Sequence, residues 1–411
     1  MDTPLDKVVE DTRLSTDVDA HPLVRQARAL HPALRRFAEQ IEREQCFPAE
    51  LVALLHEAGF YRMVMPRALG GLQVDPVTYT GVVETLAEGC GSVGWNVANN
   101  SIAKLVTLGL PDEGIHEIHG QGADFVVAGT AVAGGGKAVP VPGGYRVTGH
   151  WTFGTGCMEA NWMLGSFQII DDGKPRLGPT GAPGFWRGLF RKSEVEVIPG
   201  TWDVAGLRGT GSFDWTLTDV FIPEHRVMFH AGAPLDNQWS RWPGLTYALP
   251  SVAWVGPHHS SVVTGIARAG IAALIELAIV KVPRGRSSAT LGQSEQVQEA
   301  IARADTVLSA ARLWRAATVA DLWNTMAAGS ETTLLQRARC RLAAVNAGDA
   351  ARQAMDMVYH FSGTTGFKRN TRMSECWRDL HTVGQTGMVA PEWYPIAGRV
   401  FLGMDPGPRL H

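Results

Sequence analysis

The sequence lacks the features that usually mark an extracellular, metal-binding or nucleic-acid-binding protein. Its five cysteines are widely spaced and include no Cys-x-x-Cys pair, which argues against a disulfide framework and against a zinc site. Charged residues make up 19% of the chain and the formal net charge is −3, so no basic surface favours nucleic acid or a membrane. We therefore expect a protein of the reducing cytoplasm, with no metal and with neither nucleic acid nor membrane as a partner.

Catalytic motifs of fixed spacing are also missing. The chain has no P-loop, no HExxH, no GxSxG and no GxGxxG between a strand and a helix. Residues 1–17 are acidic and polar, unlike a signal peptide. The most apolar helix candidate, Gly265 to Val280, is interrupted by Arg268 and Glu276 and is too short for a membrane span.

The sequence does have length and a hydrophobic pattern that changes twice. Its 411 residues are 45% hydrophobic, enough for two or three domains with buried cores. Helical spacing dominates residues 1–123, alternation with period two dominates 124–235, and long alanine-rich helices typical of a bundle return over 236–411. The predicted fold class is therefore α+β with three domains, in the order helical, β, helical.

Capping and turn residues locate individual elements. A helix is expected between Pro48 and Gly59, and Asp75 followed by Pro76 predicts the N-cap and first turn of another. Two long helices are predicted further on, one from about Ser294 and one from about Thr332 that stops at Gly363.

Two patterns predict strands. A Gly143-Gly144 turn between alternating apolar residues is typical of a hairpin. Phe213, Trp215 and Leu217 alternate with polar residues, which predicts a half-buried strand ending at Pro223.

Several phrases resemble a known family. Leu54–Phe60, with Met65-Pro66 and Gly70-Gly71 beyond it, is similar to the N-terminal domain of acyl-CoA dehydrogenases. Three more motifs resemble the two-component flavin-dependent monooxygenase (group D hydroxylase) branch of that superfamily: Gly91–Trp95 with its Ser-x-Gly-Trp turn, Gly143–Gly156 with its GGYxVxGxWxFxSG stretch, and Gly206–Ser212 followed by Val220–Pro223 with its GxRGTGS…VFVP strand pair. The resemblance implies an N-terminal helical domain, a middle β-barrel-like domain and a C-terminal four-helix bundle.

The resemblance also implies an activity. Such enzymes take reduced flavin, FMN or FAD, from a separate NAD(P)H:flavin reductase, react it with O2 to a C4a-hydroperoxide, and hydroxylate a small, usually aromatic substrate. The resemblance also implies a homotetramer, built as a dimer of dimers. The sequence does not decide whether the substrate is an aromatic polyketide, a phenol, an indole or an amine. If it is an amine, the enzyme would be an N-hydroxylase. A cofactor-free scaffold protein is the other class, and the retained family glycines and hydroxyl argue against it.

By the same resemblance, residues at three places would hold the flavin. Thr155 stands at the family serine whose hydroxyl lies by flavin N5, which makes it a catalytic and a cofactor-binding candidate. Trp151 and Phe153 alternate on one face beside it, although a core role for Trp151 is as plausible. An arginine, Arg284 or its rival Arg286, would reach the phosphates across a subunit interface. The neighbouring subunit's glycine-rich helix end would complete the site through two residues, Gly363 and Gly366.

Acid–base chemistry is where the sequence departs from the family. A dehydrogenase needs a carboxylate base, but the family positions offer Thr386-Gly387, and no Asp or Glu lies between Asp236 and Glu276. Dehydrogenation is therefore the disfavoured alternative. The hydroxylases' own histidine also aligns with Thr386, so His381 becomes the predicted base, ahead of the adjacent pair His258 and His259. The predicted substrate contacts are Trp95, Asn99, His258 and Thr386.

Overall fold

The structure is a computed structural model that describes residues 14–120, 122–129, 134–179, 181–230, 241–283 and 289–410. Its first segment is helical, as predicted. The helices are α1 (Pro22–Ala29), α2 (His31–Glu44), α3 (Ala49–Glu57), α4 (Pro76–Gly89), α5 (Gly91–Thr107) and α6 (Asp112–His119). The Asp75 carboxylate accepts the backbone N–H groups of Val77 and Thr78 at 2.9 Å each, which confirms the predicted N-cap of α4. Nearly all of α4 and α5 is buried, so these two helices form the interior wall of the segment.

The second segment is a single mixed sheet. Its strands are β1 (Val127–Gly129), β2 (Gly136–Val141), β3 (Gly144–Trp151), β4 (Trp162–Asp171), β5 (Lys174–Pro175), β6 (Phe185–Arg191), β7 (Glu196–Ile198), β8 (Asp214–Pro223) and β9 (Val227–His230). The order is β7-β8-β3-β2-β4-β6-β9, with β1 and β5 also paired to β4. The β1–β4 and β2–β4 pairs are parallel and the other pairs are antiparallel.

The predicted hairpin is present, but its turn lies one residue earlier than expected. Val141 pairs with Gly144, so Pro142 and Gly143 form the turn, and Gly143 has a φ of 81°. Gly144 begins β3, and a Cβ there would lie 2.1 Å from the carbonyl oxygen of Ile222 in β8. The glycine is therefore needed for strand pairing and not for the turn. The strand predicted to end at Pro223 is confirmed as β8.

The third segment is a helical bundle. Its helices are α7 (Leu245–Ala248), α8 (Val252–Val280), α9 (Glu295–Ala327), α10 (Leu334–Ser362), α11 (Arg372–Val383) and α12 (Trp393–Phe401). The starts of α9 and α10 confirm the predicted helices from Ser294 and Thr332. Helix α8 is longer than predicted because Pro257, expected near its start, lies inside it. A proline removes one backbone N–H, and α8 tolerates that loss in its second turn.

Helix α8 has 29 residues, so the prediction that its apolar stretch is too short for a membrane was wrong. Within the described ranges it is the one helix long and apolar enough to cross a bilayer, by length and composition alone. However, 61% of its most apolar window is buried, against helices that include α4, α5, α10 and α11. Helix α8 is therefore the central helix of the protein core.

A buried ion cluster joins the first segment to the third. Glu84 on α4 is 3% exposed, and its carboxylate accepts hydrogen bonds from Arg312 and Arg315 on α9. A third arginine, Arg268 on α8, lies 3.6 Å from the same carboxylate. Burial alone would raise the pKa of Glu84, but the three guanidinium groups outweigh it and lower that pKa to about 2. Thr264 completes the cluster by donating to Glu84 at 3.2 Å. We call these five residues the Glu84 cluster.

Candidate active site

A cavity of about 1060 Å³ lies where the three segments meet. This volume is slightly above the usual range for ligand sites, ~300–1,000 Å³. It is lined from α5, the sheet, the 202–212 loop, α8, α10, α11 and the residues that follow α11. Most of the side chains singled out from the sequence line this one cavity: Trp95, Asn99, Phe153, Thr155, His258, His381 and Thr386.

The turn after β3 carries Phe153 and Thr155 into the cavity. Phe153 has a φ of 61°, unusual for a residue with a side chain, and its ring is 63% exposed. It packs edge-on against Trp202 with ring centroids 6.0 Å apart. Leu207, on the same loop as Trp202, also has a positive φ of 54°. Two strained residues in one cavity wall are typical of a functional site.

The Thr155 hydroxyl belongs to a directed chain of hydrogen bonds. Its Oγ1 lies 2.8 Å from Ser212 Oγ, which lies 2.8 Å from Thr210 Oγ1. Thr210 donates its hydrogen to the carbonyl of Leu207 at 2.8 Å. Each hydroxyl has one hydrogen, so Ser212 must donate to Thr210 and Thr155 must donate to Ser212. Thr155 therefore presents acceptor lone pairs to the cavity.

Trp151 lies in the core of the sheet domain and not in the cavity wall. The side chain is 2% exposed and stacks on Trp215 with ring centroids 4.3 Å apart. Its indole N–H donates to the carbonyl of Ser166 at 2.8 Å. The Trp151 ring therefore packs and hydrogen-bonds inside the sheet domain. The structure places this predicted flavin contact away from the cavity and favours the core role.

The adjacent histidines of α8 are neutral, and each donates from Nδ1 and keeps Nε2 as an acceptor. Nδ1 of His258 lies 2.9 Å from the carbonyl of Trp254, and Nδ1 of His259 lies 2.9 Å from that of Val255. A carbonyl only accepts, so each Nδ1 carries the hydrogen and each Nε2 keeps its lone pair. Burial lowers the pKa of His259 to about 4 and that of His258 well below its ordinary value. Both imidazoles stay uncharged near neutral pH.

His381 has a different partner from the one its sequence neighbours suggested. Its Nε2 lies 2.9 Å from the Asp356 carboxylate on α10, which leaves Nδ1 as the acceptor nitrogen. Asp379 instead accepts the backbone N–H of Leu207 at 2.6 Å and so anchors the cavity loop. Burial, followed by the charge of Glu375, raises the pKa of Asp379 to about 7.

The other predicted substrate contacts, Trp95, Asn99 and Thr386, also have defined places. Asn99 on α5 donates to the carbonyl of Trp95 at 2.9 Å, and the Trp95 ring packs edge-on against His259 with centroids 5.0 Å apart. Thr386 caps the short 3-10 turn Gly387–Val389. The motif Gly91–Trp95 forms the first turn of α5.

Arg341 is the cavity residue that sequence analysis missed. It lies on α10, is 2% exposed, and its guanidinium stacks over the Trp393 ring at 3.5 Å. Within the described ranges its one hydrogen bond runs from Nη2 to the thioether sulfur of Met388 at 3.6 Å, and a thioether is a weak acceptor. The signal was its helical spacing from Ala338 and Val345, which puts a charge on the buried face of α10.

Carboxylates are missing from the cavity wall. No Asp or Glu occurs among the described residues that line it. A dehydrogenase would need such a group to abstract a proton from carbon.

The glycine-rich end of α10 lies outside this cavity. Gly363 has φ 59° and ψ −142°, a conformation open in practice to glycine alone, and a Cβ at Gly366 would lie 2.1 Å from Ser362 Oγ. Lys281 donates to the carbonyl of Ser362 at 2.7 Å and holds this turn beside the end of α8. Arg284 and its rival Arg286 lie outside the described residues.

Comparisons with known proteins agree with the geometry. The N-terminal domain of acyl-CoA dehydrogenases matches residues 24–113 and their C-terminal domain matches residues 258–390. The flavin-dependent monooxygenase oxygenase subunit HsaA of Rhodococcus jostii (strain RHA1) is 29% identical over 386 residues, covering 92% of this chain and 93% of the relative. Indole-3-acetate monooxygenase of Pseudomonas putida is 28% identical over 377 residues, covering 90% of each. XiaF from Streptomyces sp., solved in complex with FADH2 and glycerol, superposes with a TM-score of 0.84 at 25% identity, covering 94% of this chain and 96% of XiaF.

Proposed function

The chain belongs to the flavin-dependent monooxygenase branch of the acyl-CoA dehydrogenase superfamily, and from this premise we propose that it hydroxylates a small aromatic substrate with O2 and reduced flavin. The bound flavin supplies the activation of O2. A separate NAD(P)H:flavin reductase delivers it, because the relatives are oxygenase subunits and this sequence has no nicotinamide-binding motif. The cavity has room for the cofactor ring and a substrate together.

The observation that carries this proposal is the direction of the hydroxyl chain. Reduced flavin bears a hydrogen on N5, so its partner in the protein must accept. Thr155 is arranged to accept, since its own hydrogen is committed to Ser212. The strained Phe153 and Leu207 place apolar surface beside that hydroxyl, which helps to exclude water.

The proton chemistry divides between two kinds of histidine. We assign His381 as the base that takes the proton of a substrate hydroxyl, because Asp356 orients its ring and leaves Nδ1 free to accept. His258 and His259, held neutral by burial, accept hydrogen bonds without holding a charge. Trp95 contributes an aromatic wall for the substrate ring, and Asn99 and Thr386 contribute polar contacts.

Turnover with a generic reductase tests the proposal. The purified chain, an NADH:flavin reductase, FMN or FAD, and a panel of phenols, indoles and aryl acids are incubated under O2. We expect a product 16 mass units heavier than one of the substrates, formed only when all components are present. NADH oxidation by the chain and flavin without the reductase, or no oxygenated product from any aromatic compound, would contradict the proposal.

We also propose that the enzyme is a cytoplasmic homotetramer, a dimer of dimers. Exposed apolar side chains on the bundle support an interface: Ile279 is 67%, Val280 72% and Leu313 64% exposed. The exposed Gly363 turn would then face the flavin phosphates of a partner subunit. Light scattering should give about four times 44.3 kDa. A stable monomer that still binds flavin would rule the assembly out.

A further inference from the structure

Arg341 is an ionised side chain in an apolar place. It is 2% exposed, and burial lowers its pKa to about 9, which still leaves it charged near neutral pH. A buried charge is costly unless an opposite charge or several hydrogen bonds compensate it. The other buried arginine of the bundle, Arg315, is compensated by Glu84.

In the described part of the chain, Arg341 has no hydrogen bond to a carboxylate, and the charge of Glu392 raises its pKa by less than burial lowers it. A guanidinium has five N–H donors, and here one of them meets the weak acceptor sulfur of Met388. Nε is buried and has no partner. The Glu392 carboxylate is hydrogen-bonded to Arg409 instead, at 2.8 Å.

The surroundings hold the guanidinium in place without neutralising it. Trp393 lies under its face at 3.5 Å, and Arg409 stacks on the same indole at 3.9 Å. A Cβ on Gly256 would lie 2.7 Å from Nη1, so the backbone of α8 packs directly against the fork. A planar group fixed in this way is prepared to meet a planar partner.

The groups around Arg341 are also the polar groups of the cavity. Gly256 precedes His258 and His259 by less than one helical turn, and the Arg341 charge adds to burial in lowering the pKa of both histidines. With neutral histidines and no acidic residue in the described lining, this part of the cavity is net positive.

We propose that Arg341 binds the carboxylate of the substrate, so that the enzyme acts on aromatic acids. The claim that the bound acid is a substrate rests on the proposed function, whereas binding of the carboxylate by Arg341 does not depend on turnover. A carboxylate matches the fork of a guanidinium through two parallel hydrogen bonds. It would supply the opposite charge that the protein does not provide, while the aromatic ring of the acid lies among the apolar side chains of the cavity.

Binding of a charged and an uncharged ligand of the same shape tests the inference. We would measure by calorimetry, at low salt and without anionic buffer, the affinity of indole-3-acetate and of indole-3-acetamide for the full-length wild-type protein. The Arg341→Met and Arg341→Lys variants are compared, with Arg303→Gln as the control. Arg303 is a surface arginine of α9 whose side chain is 71% exposed.

In the wild type and in the control we expect the acid to bind at least about tenfold more tightly than the amide. In Arg341→Met this preference should fall to about one, with the affinity for the amide unchanged within about twofold. Arg341→Lys should keep part of the preference, since it keeps the charge and loses the fork. Equal binding of both ligands by the wild type, or the same preference in wild type and Arg341→Met, would overturn the inference.

Turnover of the same ligands separates this inference from the proposed function. If aromatic hydroxylation occurs and Arg341→Met lowers turnover of neutral phenols as much as that of acids, the arginine acts on the ring oxygen and the inference fails alone. If acids bind through Arg341 but no reductase-dependent product forms, the proposed function fails and the binding site stands.

Discussion

The two most deeply buried arginines of the C-terminal bundle have opposite surroundings. Arg315 on α9 is 4% exposed and its guanidinium donates to Glu84 and to Thr264. Arg341 on α10 is 2% exposed and has an indole, a thioether and a glycine around it. Both charges have lost water, but among the described residues only the first has a hydrogen-bonded carboxylate.

The difference separates a structural cluster from a functional one. The Glu84 cluster joins α4 to α8 and α9, and its arginines are held by two carboxylates, since Arg268 also lies 3.1 Å from Glu88. Two buried nitrogen atoms beside the cavity have no hydrogen-bond partner among the described residues, Nε of Arg341 and Nε2 of His258, and Thr155 presents acceptor lone pairs to the same cavity. Polar groups left without partners in a cavity are available to a ligand.

The largest expected effect comes from breaking the paired cluster. Glu84→Gln removes the charge that Arg268, Arg312 and Arg315 share, and leaves buried guanidinium groups uncompensated. Breaking a buried pair in this way costs ~3–5 kcal/mol. Urea denaturation should show the loss. The matched control is Glu299→Gln, whose 2.7 Å pair with Arg303 is exposed and should cost less than about 1 kcal/mol.

The difference in unfolding free energy between wild type and Glu84→Gln should depend on pH, with a sign that follows from the pKa of Glu84. The pKa of Glu84 is about 2 in the folded protein against an ordinary 4.5, so the folded state prefers the ionised form. Its contribution is complete above pH 4.5 and is lost as the pH falls towards 2. The stability difference between wild type and Glu84→Gln should therefore be constant from pH 5 to 8 and narrow below pH 4. A gap that widens on acidification would contradict the assignment.

The next effect concerns the base of the cavity. His381→Asn removes the acceptor nitrogen that Asp356 orients, and should lower product formation by about 10²-fold while flavin binding is kept. The acid limb of the pH–rate profile should disappear with it. His116→Asn, at an exposed position of α6, is the control. Near-normal hydroxylation with the acid limb retained would transfer the role away from this segment.

A smaller effect is expected from Thr155. Thr155→Val keeps the shape and removes one hydrogen bond, a change of roughly 1–2 kcal/mol that corresponds to about 5–30-fold. It should appear as more H2O2 released per NADH oxidised. Thr155→Ser should keep most of the coupling, and Ser212→Ala should lose part of it because the direction of the chain is no longer fixed.

Thr218→Val is the matched control for this series, because Thr218 is an exposed threonine of β8. Coupling of NADH oxidation to product that is the same in Thr155→Val and in wild type would remove Thr155 from the site.

Sequence analysis predicted the order of the segments and the N-cap at Asp75, because capping and alternation are local, and the family resemblance singled out several of the residues that line the cavity. It did not predict what depends on distant contacts. The length of α8 depends on packing that tolerates Pro257, the place of Gly144 depends on Ile222 across the sheet, and the core position of Trp151 depends on Trp215. The domain boundaries near 123 and 235 stay predictions.

Arg341 is a cavity residue that sequence analysis missed for the same reason. Its helical spacing puts a charge on a buried face, but whether that charge has a partner depends on α12 and on Met388, both more than forty residues away in sequence. A charged residue in an alanine-rich helix therefore signals a site only after its surroundings are known.

The smallest expected effect is the change in unfolding free energy caused by Arg341→Met, and its sign is opposite to that of Glu84→Gln. Glu84→Gln leaves buried guanidinium groups without their shared carboxylate, whereas Arg341→Met removes a charge that has no hydrogen-bonded carboxylate among the described residues, and methionine fills much of the same apolar space. The variant should be as stable as the wild type or more stable by about 1 kcal/mol in urea denaturation. Added indole-3-acetate should stabilise the wild type and leave the variant unchanged, because only the wild type binds the acid tightly. A loss of stability comparable to that of Glu84→Gln would mean that Arg341 is a structural residue like Arg315, and the contrast between the two arginines would disappear.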